Sequence, residues 1–396
     1  MQIFNIRKAI AACFLLISCS TSSTINMPSQ QRRILNIFAF RRIIIPVLIG
    51  LGVIIYMILG DLTHSDLASI NWRWYSLLYF FLAFTMMVVR DLAYMYRIRL
   101  LTGYALSWRK SFEVIMLWEF ASSVTPSVVG GSAIAVFILT REKLGVGRST
   151  AIVVVTAMLD ELFYIIMVPL VFLVAGYSRT SVAGPEFSLG GSTFTTMGVF
   201  FIGYSIILSL TLIIAYGIFL NPGGFKWLLV KITSLKPLRR FREGAIITGD
   251  QVIVTSAELR GQSLIFWGKA FLSTVFSWTA RFWVVNFLIM AFTGPVNLAD
   301  NMLIYARQLM MWVIMLVSPT PGGSGIAEYF FPIFLREFIA GSTGDLTTLV
   351  ALAWRMVSYY PYLIIGAIVL PLWLRRVYLG RKLIKFSSKR KSPPAG

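Results

Sequence analysis

Two stretches of the chain place proline and paired glycines inside long apolar runs, where freed backbone groups could bind a ligand. In a membrane, such helix breaks are tolerated only where the backbone lines a cavity or is buried in protein. A repeated pair of breaks indicates a transport site between two structural repeats. The residues of these breaks that we predict to bind substrate are Pro126, Gly130, Gly131 and Ser132 in the first, and Pro319, Pro321, Gly322, Gly323 and Ser324 in the second.

The second break has the composition of a helix N-terminus. Pro321 suits the first helical position, where its missing N–H group costs no hydrogen bond. The free N–H groups that follow, together with the positive end of the helix dipole, form an anion site, and the glycines let a phosphate come close to the backbone. A plain kink or a close helix contact would explain the same small residues structurally.

Charged side chains inside apolar runs are the second set of candidates, because each costs about 2.5–3.5 kcal/mol at the bilayer centre. An arginine suits a pair of phosphate oxygens, and a carboxylate can balance charge or take a proton. The alternative is that these acids and bases pair with one another and hold the helices together. The predicted substrate-binding residues are Glu328, Arg355, Arg307 and Arg281, and the predicted charge-coupling residues are Asp160, Glu161 and Glu119.

Three other charges have a structural interpretation. Lys269 can extend its ammonium group along the helix to the cytoplasmic surface of the membrane. Arg90 and Asp91 are adjacent near the predicted cytoplasmic end of a span, which favours a structural role at the membrane interface. We therefore expect none of the three to contact substrate.

Composition excludes several classes of function. Of the 396 residues, 57% are hydrophobic and 13% are charged, which indicates a polytopic membrane protein. The net charge of +20 lies in loops and at the C-terminus, as the positive-inside rule expects, so we predict no nucleic acid partner. The single histidine, His64, lies in a loop, and Cys13 and Cys19 lie near the N-terminus. We therefore expect no metal, no cofactor and no enzymatic activity; a serine protease built on Ser324 would need a histidine.

Six apolar runs are long enough to span a bilayer, which takes about 20 residues. They cover residues 43–59, 74–96, 149–175, 196–220, 263–292 and 346–374. Basic loops flank the first broken run, 112–139, whereas the loops around the second, 302–335, carry almost no positive charge. Because basic loops face the cytoplasm, each broken run is predicted to enter and leave on one side, as a re-entrant helical hairpin.

The predicted fold is an all-α polytopic membrane protein with about six spanning helices and two re-entrant hairpins, in inverted repeats of residues 43–176 and 196–374. Residues 27–380 form this transmembrane domain, and 381–396 form a basic cytoplasmic tail. Residues 1–26 are a signal-like segment or an extension ahead of a true start at Met27. We expect the protein in the bacterial inner membrane, with both termini in the cytoplasm.

The second broken motif carries a family resemblance. Residues 319–328 read Pro-Thr-Pro-Gly-Gly-Ser-Gly-Ile-Ala-Glu, and with 355–360, Arg-Met-Val-Ser-Tyr-Tyr, they resemble the flippase-like transmembrane region of lysylphosphatidylglycerol synthases. The resemblance covers about residues 40–380, and Asp160 matches an acidic position that often follows the first break in that family. The chain is similar to stand-alone members that lack the soluble aminoacyl-transfer domain.

This resemblance implies translocation of a lipid between leaflets rather than lysyl transfer. The substrate would be a phospholipid, an aminoacyl lipid or a polyprenyl-phosphate-linked sugar, in some cases made by a separate lipid-modifying enzyme. Its headgroup would pass between the hairpins, with Arg355 and Arg307 at the phosphate. The residues alone also permit an ion-coupled carrier of a soluble anion or a non-transporting partner of envelope enzymes, and they leave the oligomeric state open.

Overall fold

The computed structural model describes the chain from residue 72 to residue 379 with short gaps. The described residues are 72–125, 127–189, 192–235, 239, 242–316, 323, 325–340 and 345–379. Three predicted segments lie outside them, namely the N-terminal extension 1–26, the first span 43–59 and the basic tail 381–396. The predicted site residues that also lie outside them are Pro126, Pro319, Pro321, Gly322 and Ser324.

The first part of the described chain consists of two long apolar helices with a pair of shorter helices between them. The shorter helices are separated at Thr125, whose extended backbone (φ −95°, ψ 140°) ends the first of them. The elements are α1 (Trp74–Leu101), α2 (Trp108–Val124), α3 (Ser127–Leu139), a π-helical turn (Thr140–Leu144) and α4 (Val146–Ala175).

The two segments that link the spans in the middle of the chain both contain secondary structure. The first, after α4, forms a single helical turn and a two-stranded antiparallel ribbon, in which Phe187 pairs with Phe194. The second forms two helices that pack against each other. The elements are α5 (Tyr177–Thr180), β1 (Phe187–Leu189), β2 (Ser192–Phe194), α6 (Thr196–Ala215) with a π-helical turn (Tyr216–Leu220), α7 (Pro222–Thr233) and α8 (Arg242–Arg260).

The last part repeats the order of the first. A long helix comes first, a pair of shorter helices follows, and a span built from two consecutive helices ends the described chain. The elements are α9 (Leu264–Thr293), α10 (Leu298–Leu316), α11 (Ile326–Leu335) with a 3₁₀ turn (Arg336–Phe338), α12 (Thr347–Ser358) and α13 (Tyr360–Leu374) with a π-helical turn (Arg375–Leu379).

Five helical segments of the described chain are long and apolar enough to cross a membrane. They are Trp74–Leu101, Val146–Ala175, Thr196–Leu220, Leu264–Thr293 and Thr347–Val377. They coincide with the five predicted spans that fall within the described residues, and the all-α polytopic fold is confirmed. The largest difference is at α1, which continues to Leu101 instead of ending near residue 96. Arg97, which we predicted in a basic loop, is therefore buried within the helix, and that prediction was wrong.

The helix pairs at the two broken motifs are shorter than the spans. At 1.5 Å per residue, α2 and α3 are ~26 and ~20 Å long, and α10 and α11 are ~28 and ~15 Å long. A bilayer core is about 30 Å thick, so α3 and α11 in particular are too short to cross it. Within each pair the two helices contact each other.

The packing of the spans places the helix pairs at the middle of the bundle. α1 and α9 share the most extensive contact among the described helices. α2 packs against α13 and α10 packs against α4, so each helix pair contacts the last span of the other half. Gly366 makes the first of these contacts possible, because a Cβ atom there would overlap the Phe120 side chain.

Gly131→Ala is expected to push α3 away from α2 and to lower the free energy of unfolding by about 1–3 kcal/mol, as overpacking does. An added Cβ at Gly131 would overlap the Ser122 hydroxyl oxygen and lie 3.0 Å from the Ser122 Cα atom, which cannot rotate away. Gly268→Ala in α9 is the matched control, since its Cβ would meet no atom within 4 Å. Denaturant unfolding of both variants in detergent measures the difference, and equal stability would contradict this close contact.

Candidate functional site

Arg90 is the centre of a charge cluster inside the helix bundle. Its side chain, in the middle of α1, is completely buried. Nη1 donates to Asp91 at 2.9 Å and to the Tyr362 hydroxyl at 2.7 Å, and Nη2 donates to Glu119 at 2.5 Å. The Tyr362 hydroxyl donates in turn to Asp91 at 2.8 Å. Groups from α1, α2 and α13 thus bind both terminal nitrogens of one guanidinium, as the burial of a charge requires, and its buried Nε donates no hydrogen bond within the described chain.

Arg97 forms a second cluster further along α1. It donates to both carboxylate oxygens of Asp160 in α4, at 2.6 and 3.2 Å, and to Thr274 Oγ1 in α9, at 2.7 Å. Trp278 of α9 also donates its indole N–H to Asp160, at 2.9 Å. The Asp160 carboxylate therefore binds α1, α4 and α9 together.

Tyr94 connects the two clusters. Its ring centroid lies 4.9 Å from the Arg90 guanidinium carbon and 4.8 Å from that of Arg97. A cation near an aromatic face is attracted by the ring quadrupole, more strongly when both are desolvated. The charges of α1 therefore form one continuous polar network in the interior of the bundle.

The second break contains an ion pair that is buried on both sides. Arg355 of α12 donates from Nε to Glu328 Oε1 at 2.6 Å, and the two side chains are 6% and 1% exposed. The other Glu328 oxygen accepts the backbone N–H of Gly325 at 2.7 Å. Glu328 is the third residue of α11, so its carboxylate caps the N-terminus of its own helix. The N-terminal position predicted to bind a substrate anion is thus partly occupied by a protein carboxylate.

Tyr359 joins this ion pair to the first break. Its ring centroid lies 4.3 Å from the Arg355 guanidinium carbon, and its hydroxyl donates to the Ser123 carbonyl at 3.1 Å. Ser123 is in the last turn of α2, where carbonyl groups have no partner within the helix. A continuous set of contacts therefore runs from the end of α2 to the start of α11.

Arg307, a predicted phosphate ligand, lies at the opposite end of α11 from Glu328. It donates to Glu337 at 2.7 Å, to the Phe334 carbonyl at 3.4 Å and to the Arg179 carbonyl at 3.2 Å. The structure therefore does not bring Arg307 to Arg355; it uses Arg307 to fasten the end of the second helix pair to the short helix α5.

Arg281 is held by aromatic rings instead. Its guanidinium carbon lies 4.5 Å from the centroid of Trp312 in α10 and 5.2 Å from that of Trp278. Its Nε atom is buried and donates no hydrogen bond within the described chain. Since Trp278 also binds Asp160, Arg281 lies beside the network of α1.

The three predicted charge-coupling residues have different partners. Glu119 and Asp160 each accept from a buried arginine, as described above. Glu161 follows Asp160 on α4 but faces α6, where it accepts from the Thr211 hydroxyl at 2.6 Å. Glu119 and Asp160 thus belong to the network, and Glu161 does not.

The predicted residues of the first break are helical. Gly130, Gly131 and Ser132 lie in the first half of α3, with Gly131 against Ser122 of α2. In the second break Gly323 has a positive φ of 68°, which glycine adopts without strain. Within the described ranges, three or more histidine, cysteine, aspartate or glutamate side chains do not come together as metal ligands would.

Comparison with known proteins identifies the fold's family. Residues 43–366 match the family described as the lysylphosphatidylglycerol synthase TM region. The chain belongs to this family. A relative from Archaeoglobus fulgidus, described as a UPF0104 membrane protein, is 29% identical over 329 residues, which cover 78% of this chain and 89% of the relative. No solved structure matches the chain.

The interior network includes residues outside the predicted set. The structural role at the membrane interface stays a prediction for Arg90, whose side chain protein atoms bury completely. Helical spacing is the signal that could have indicated this burial. Residues 90, 94 and 97 recur at i, i+4 and i+7, which places their side chains on one face of α1. The residues of the network outside the predicted set are Arg90, Asp91, Tyr94, Arg97, Tyr359 and Tyr362.

A further ion cluster lies where α2 begins and α3 ends, at the ends of the first helix pair that are away from the break. Glu142, after α3, accepts from Arg376 and, at 3.0 Å, from the indole N–H of Trp373. Lys110 at the start of α2 lies 3.4 Å from the same carboxylate. Arg376 also donates to Glu113 of α2, at 2.5 Å. The cluster therefore ties both ends of the α2–α3 pair to the end of α13.

The Glu142 cluster predicts acid sensitivity. Burial acts to raise the pKa of Glu142, but the hydrogen bonds and charges of Arg376, Trp373 and Lys110 outweigh it and lower the pKa below its ordinary range. A carboxyl whose pKa is lower in the folded state contributes stability above its unfolded pKa, about 4.3, and loses it as pH falls below that value. The thermal midpoint should therefore fall as pH drops from about 5 to 3, and less steeply in Glu142→Gln.

Tryptophan fluorescence during heating measures this dependence. Glu186→Gln, at an exposed position between α5 and β1, is the control and should keep the wild-type slope. A Glu142→Gln variant with the same pH profile as wild type would show that the ion cluster does not stabilise the fold.

Proposed function

We propose that this protein is a lipid translocase that moves an anionic or phosphate-containing headgroup between the two leaflets of a membrane. Membership of the lysylphosphatidylglycerol synthase TM-region family supports a role at the membrane, and the polar network supports passage of a polar group. Ionisable residues inside spans are costly and mark pathways for polar substrates. The protein itself carries out no covalent chemistry in this proposal, and a separate lipid-modifying enzyme would make or use the cargo.

The connection between the two breaks is the observation that carries the proposal. The Ser123 carbonyl, Tyr359, Arg355, Glu328 and the Gly325 N–H follow one another at contact distance. A headgroup that passed between the helix pairs would meet two helix ends, one cation and one anion along this line. Helix ends at membrane depth are the places where transporters bind ions and anionic groups.

The proposal includes an inverted repeat with two re-entrant hairpins. The packing is consistent with it, because exchanging the halves turns the α2–α13 contact into the α10–α4 contact and returns α1–α9 to itself. The ion pairs follow the same rule. Lys110 of α2 pairs with Glu142 just after α3, and Arg307 of α10 pairs with Glu337 just after α11. Each pair thus joins the first helix of a hairpin to the residues that follow its second helix.

The orientation follows from charge in this proposal. The Glu142–Arg376 cluster and the basic helix α7 would face the cytoplasm, and the Arg307–Glu337 pair would face outward. Trp227 and Lys231 of α7 support contact with an anionic surface, because the lysine lies 4.5 Å from the exposed indole ring. The assignment to a bacterial inner membrane, with cytoplasmic termini, belongs to this proposal.

Vesicle assays test the function directly. The purified protein is placed in vesicles that contain phosphatidylglycerol with a fluorescent headgroup label, with and without an imposed pH gradient. Dithionite then bleaches the label in the outer leaflet only. Exchange faster than in protein-free vesicles supports translocation, and the same vesicles are tested for uptake of radioactive inorganic phosphate.

The outcomes separate the alternatives. Phosphate uptake without lipid exchange would replace the proposal with a carrier of a soluble anion. Absence of both activities, with folded protein present, would favour a non-transporting partner of envelope enzymes. Lipid exchange at the protein-free rate overturns the proposal in either case.

A further inference from the structure

The arginines within the helices differ in whether a carboxylate neutralises them. Arg90, Arg97, Arg307 and Arg355 each bind at least one aspartate or glutamate at 2.9 Å or closer. Arg281 forms no ion pair with any described residue, although it lies in the middle of α9. An unpaired cation inside a span is costly, so such a residue is retained where something else meets its charge.

The surroundings of Arg281 hold its guanidinium in place while leaving its charge free. Trp312 and Trp278 lie 4.5 and 5.2 Å from the guanidinium carbon, and the two indoles contact each other edge to face. Tyr164 lies against Trp278 with ring centroids 5.0 Å apart. Aromatic faces attract the cation without accepting its N–H hydrogens in strong bonds. The N–H groups of the Arg281 guanidinium are therefore available to an anion.

We infer that Arg281, which packs against Trp278 and Trp312, binds the phosphate group of the transported molecule, a phosphate monoester or diester. The inference rests on the proposed translocase function and names the residue that recognises its substrate class. A guanidinium presents two parallel N–H donors that match two phosphate oxygens.

Arg281 fits this role better than the arginine of the second break. Arg355 already donates from Nε to Glu328, which in turn caps α11, so a phosphate at Arg355 would compete with a buried carboxylate. At Arg281 the nearby carboxylates are already paired. Asp160 is bound by Arg97, and Asp91, within electrostatic range of Arg281, is bound by Arg90.

The position also connects phosphate binding to the second helix pair and to the network of α1. Trp312 belongs to α10, the first helix of the second broken pair, and Trp278 donates to Asp160 of the α1 network. A phosphate that displaced either indole would change the contacts of both. Arg281 therefore lies where a bound phosphate would change the contacts of the second helix pair and of Asp160.

Binding titrations of the purified full-length protein in detergent test the inference. The probes are dioctanoyl-phosphatidylglycerol, inorganic phosphate and dioctanoylglycerol, and the readout is tryptophan fluorescence. We expect the phospholipid to bind and dioctanoylglycerol, which lacks phosphate, not to bind. Arg281→Gln should raise the Kd of the phospholipid about tenfold or more, the usual effect of losing a charged hydrogen-bond pair. Arg281→Lys keeps the charge but loses the two parallel N–H donors, so its Kd should lie between those of wild type and Arg281→Gln.

Lys269→Gln is the matched control, because it removes an exposed positive charge from the same helix. It should bind as wild type does. An unchanged Kd in Arg281→Gln with an unchanged thermal midpoint would overturn the inference. If Arg281→Gln does not fold, Arg281→Lys decides, and a wild-type Kd in that variant overturns it.

The same experiment separates this inference from the proposed function. Binding of inorganic phosphate in preference to the phospholipid, lost in Arg281→Gln, would keep the anion site and reject a lipid as its source. Lipid exchange in vesicles that persists in Arg281→Gln together with normal phospholipid binding would keep translocation and reject Arg281 as its ligand.

Discussion

Glu328→Gln should lower the free energy of unfolding by about 3–5 kcal/mol, the cost of leaving one partner of a buried ion pair alone. The change removes the negative charge that meets Arg355 at 2.6 Å in a site where both side chains are almost fully buried. It keeps the shape of the side chain, so packing is preserved. Denaturant unfolding in detergent measures the loss.

The double variant Glu328→Gln/Arg355→Gln makes this prediction specific. Removing both charges of a buried pair is far less costly than removing one, so the double variant should recover most of the lost stability. It should still fail to exchange labelled lipid in vesicles if the pair serves transport. Asp250→Asn, which breaks the exposed Lys226 pair of α8, is the control and should cost at most about 1 kcal/mol. Additive losses in the double variant would contradict the pairing.

Arg90→Gln is the second large effect that we expect, again about 3–5 kcal/mol of unfolding free energy. The substitution leaves the carboxylates of Asp91 and Glu119 close together without their shared cation, and it removes a partner of Tyr362. Addition of Glu119→Gln should restore part of the loss, because one of the two repelling charges is then gone.

Arg109→Gln is the control for Arg90→Gln. Its side chain is 89% exposed and lies 3.7 Å from Glu113, so its loss should change stability by less than about 1 kcal/mol. The measurement is the denaturant midpoint of the purified variants. A midpoint for Arg90→Gln equal to that of Arg109→Gln would show that the buried cluster does not stabilise the bundle.

The spans and breaks could be predicted because their causes are local. Apolar length defines a span, and a proline disfavours helical backbone in the residue before it, so α2 ends where extended Thr125 precedes Pro126. Even the cap on α11 was readable, since Glu328 follows Gly325 at the three-residue spacing of a capping box. What local sequence could not supply was the partner of that carboxylate, Arg355 from α12.

The pairing of charges could not be predicted, because it depends on how the helices are rotated against one another. Arg97 and Asp160 are 63 residues apart and meet only through the packing of α1 and α4. Asp160 and Glu161 are neighbours in sequence but point about 100° apart on a helix of 3.6 residues per turn. One therefore faces the arginine network and the other faces α6.

The distribution of ion pairs between the two halves affects how the protein inserts into the membrane during synthesis. Within the interior network, Arg90–Glu119 and Arg97–Asp160 join residues of the first half, and Arg355–Glu328 joins residues of the second. Among the described residues, the other half contributes neutral donors to these pairs, such as Tyr362, Thr274 and Trp278. During synthesis, the first half can thus enter the lipid with Arg90 and Arg97 already neutralised while the second is still being translated.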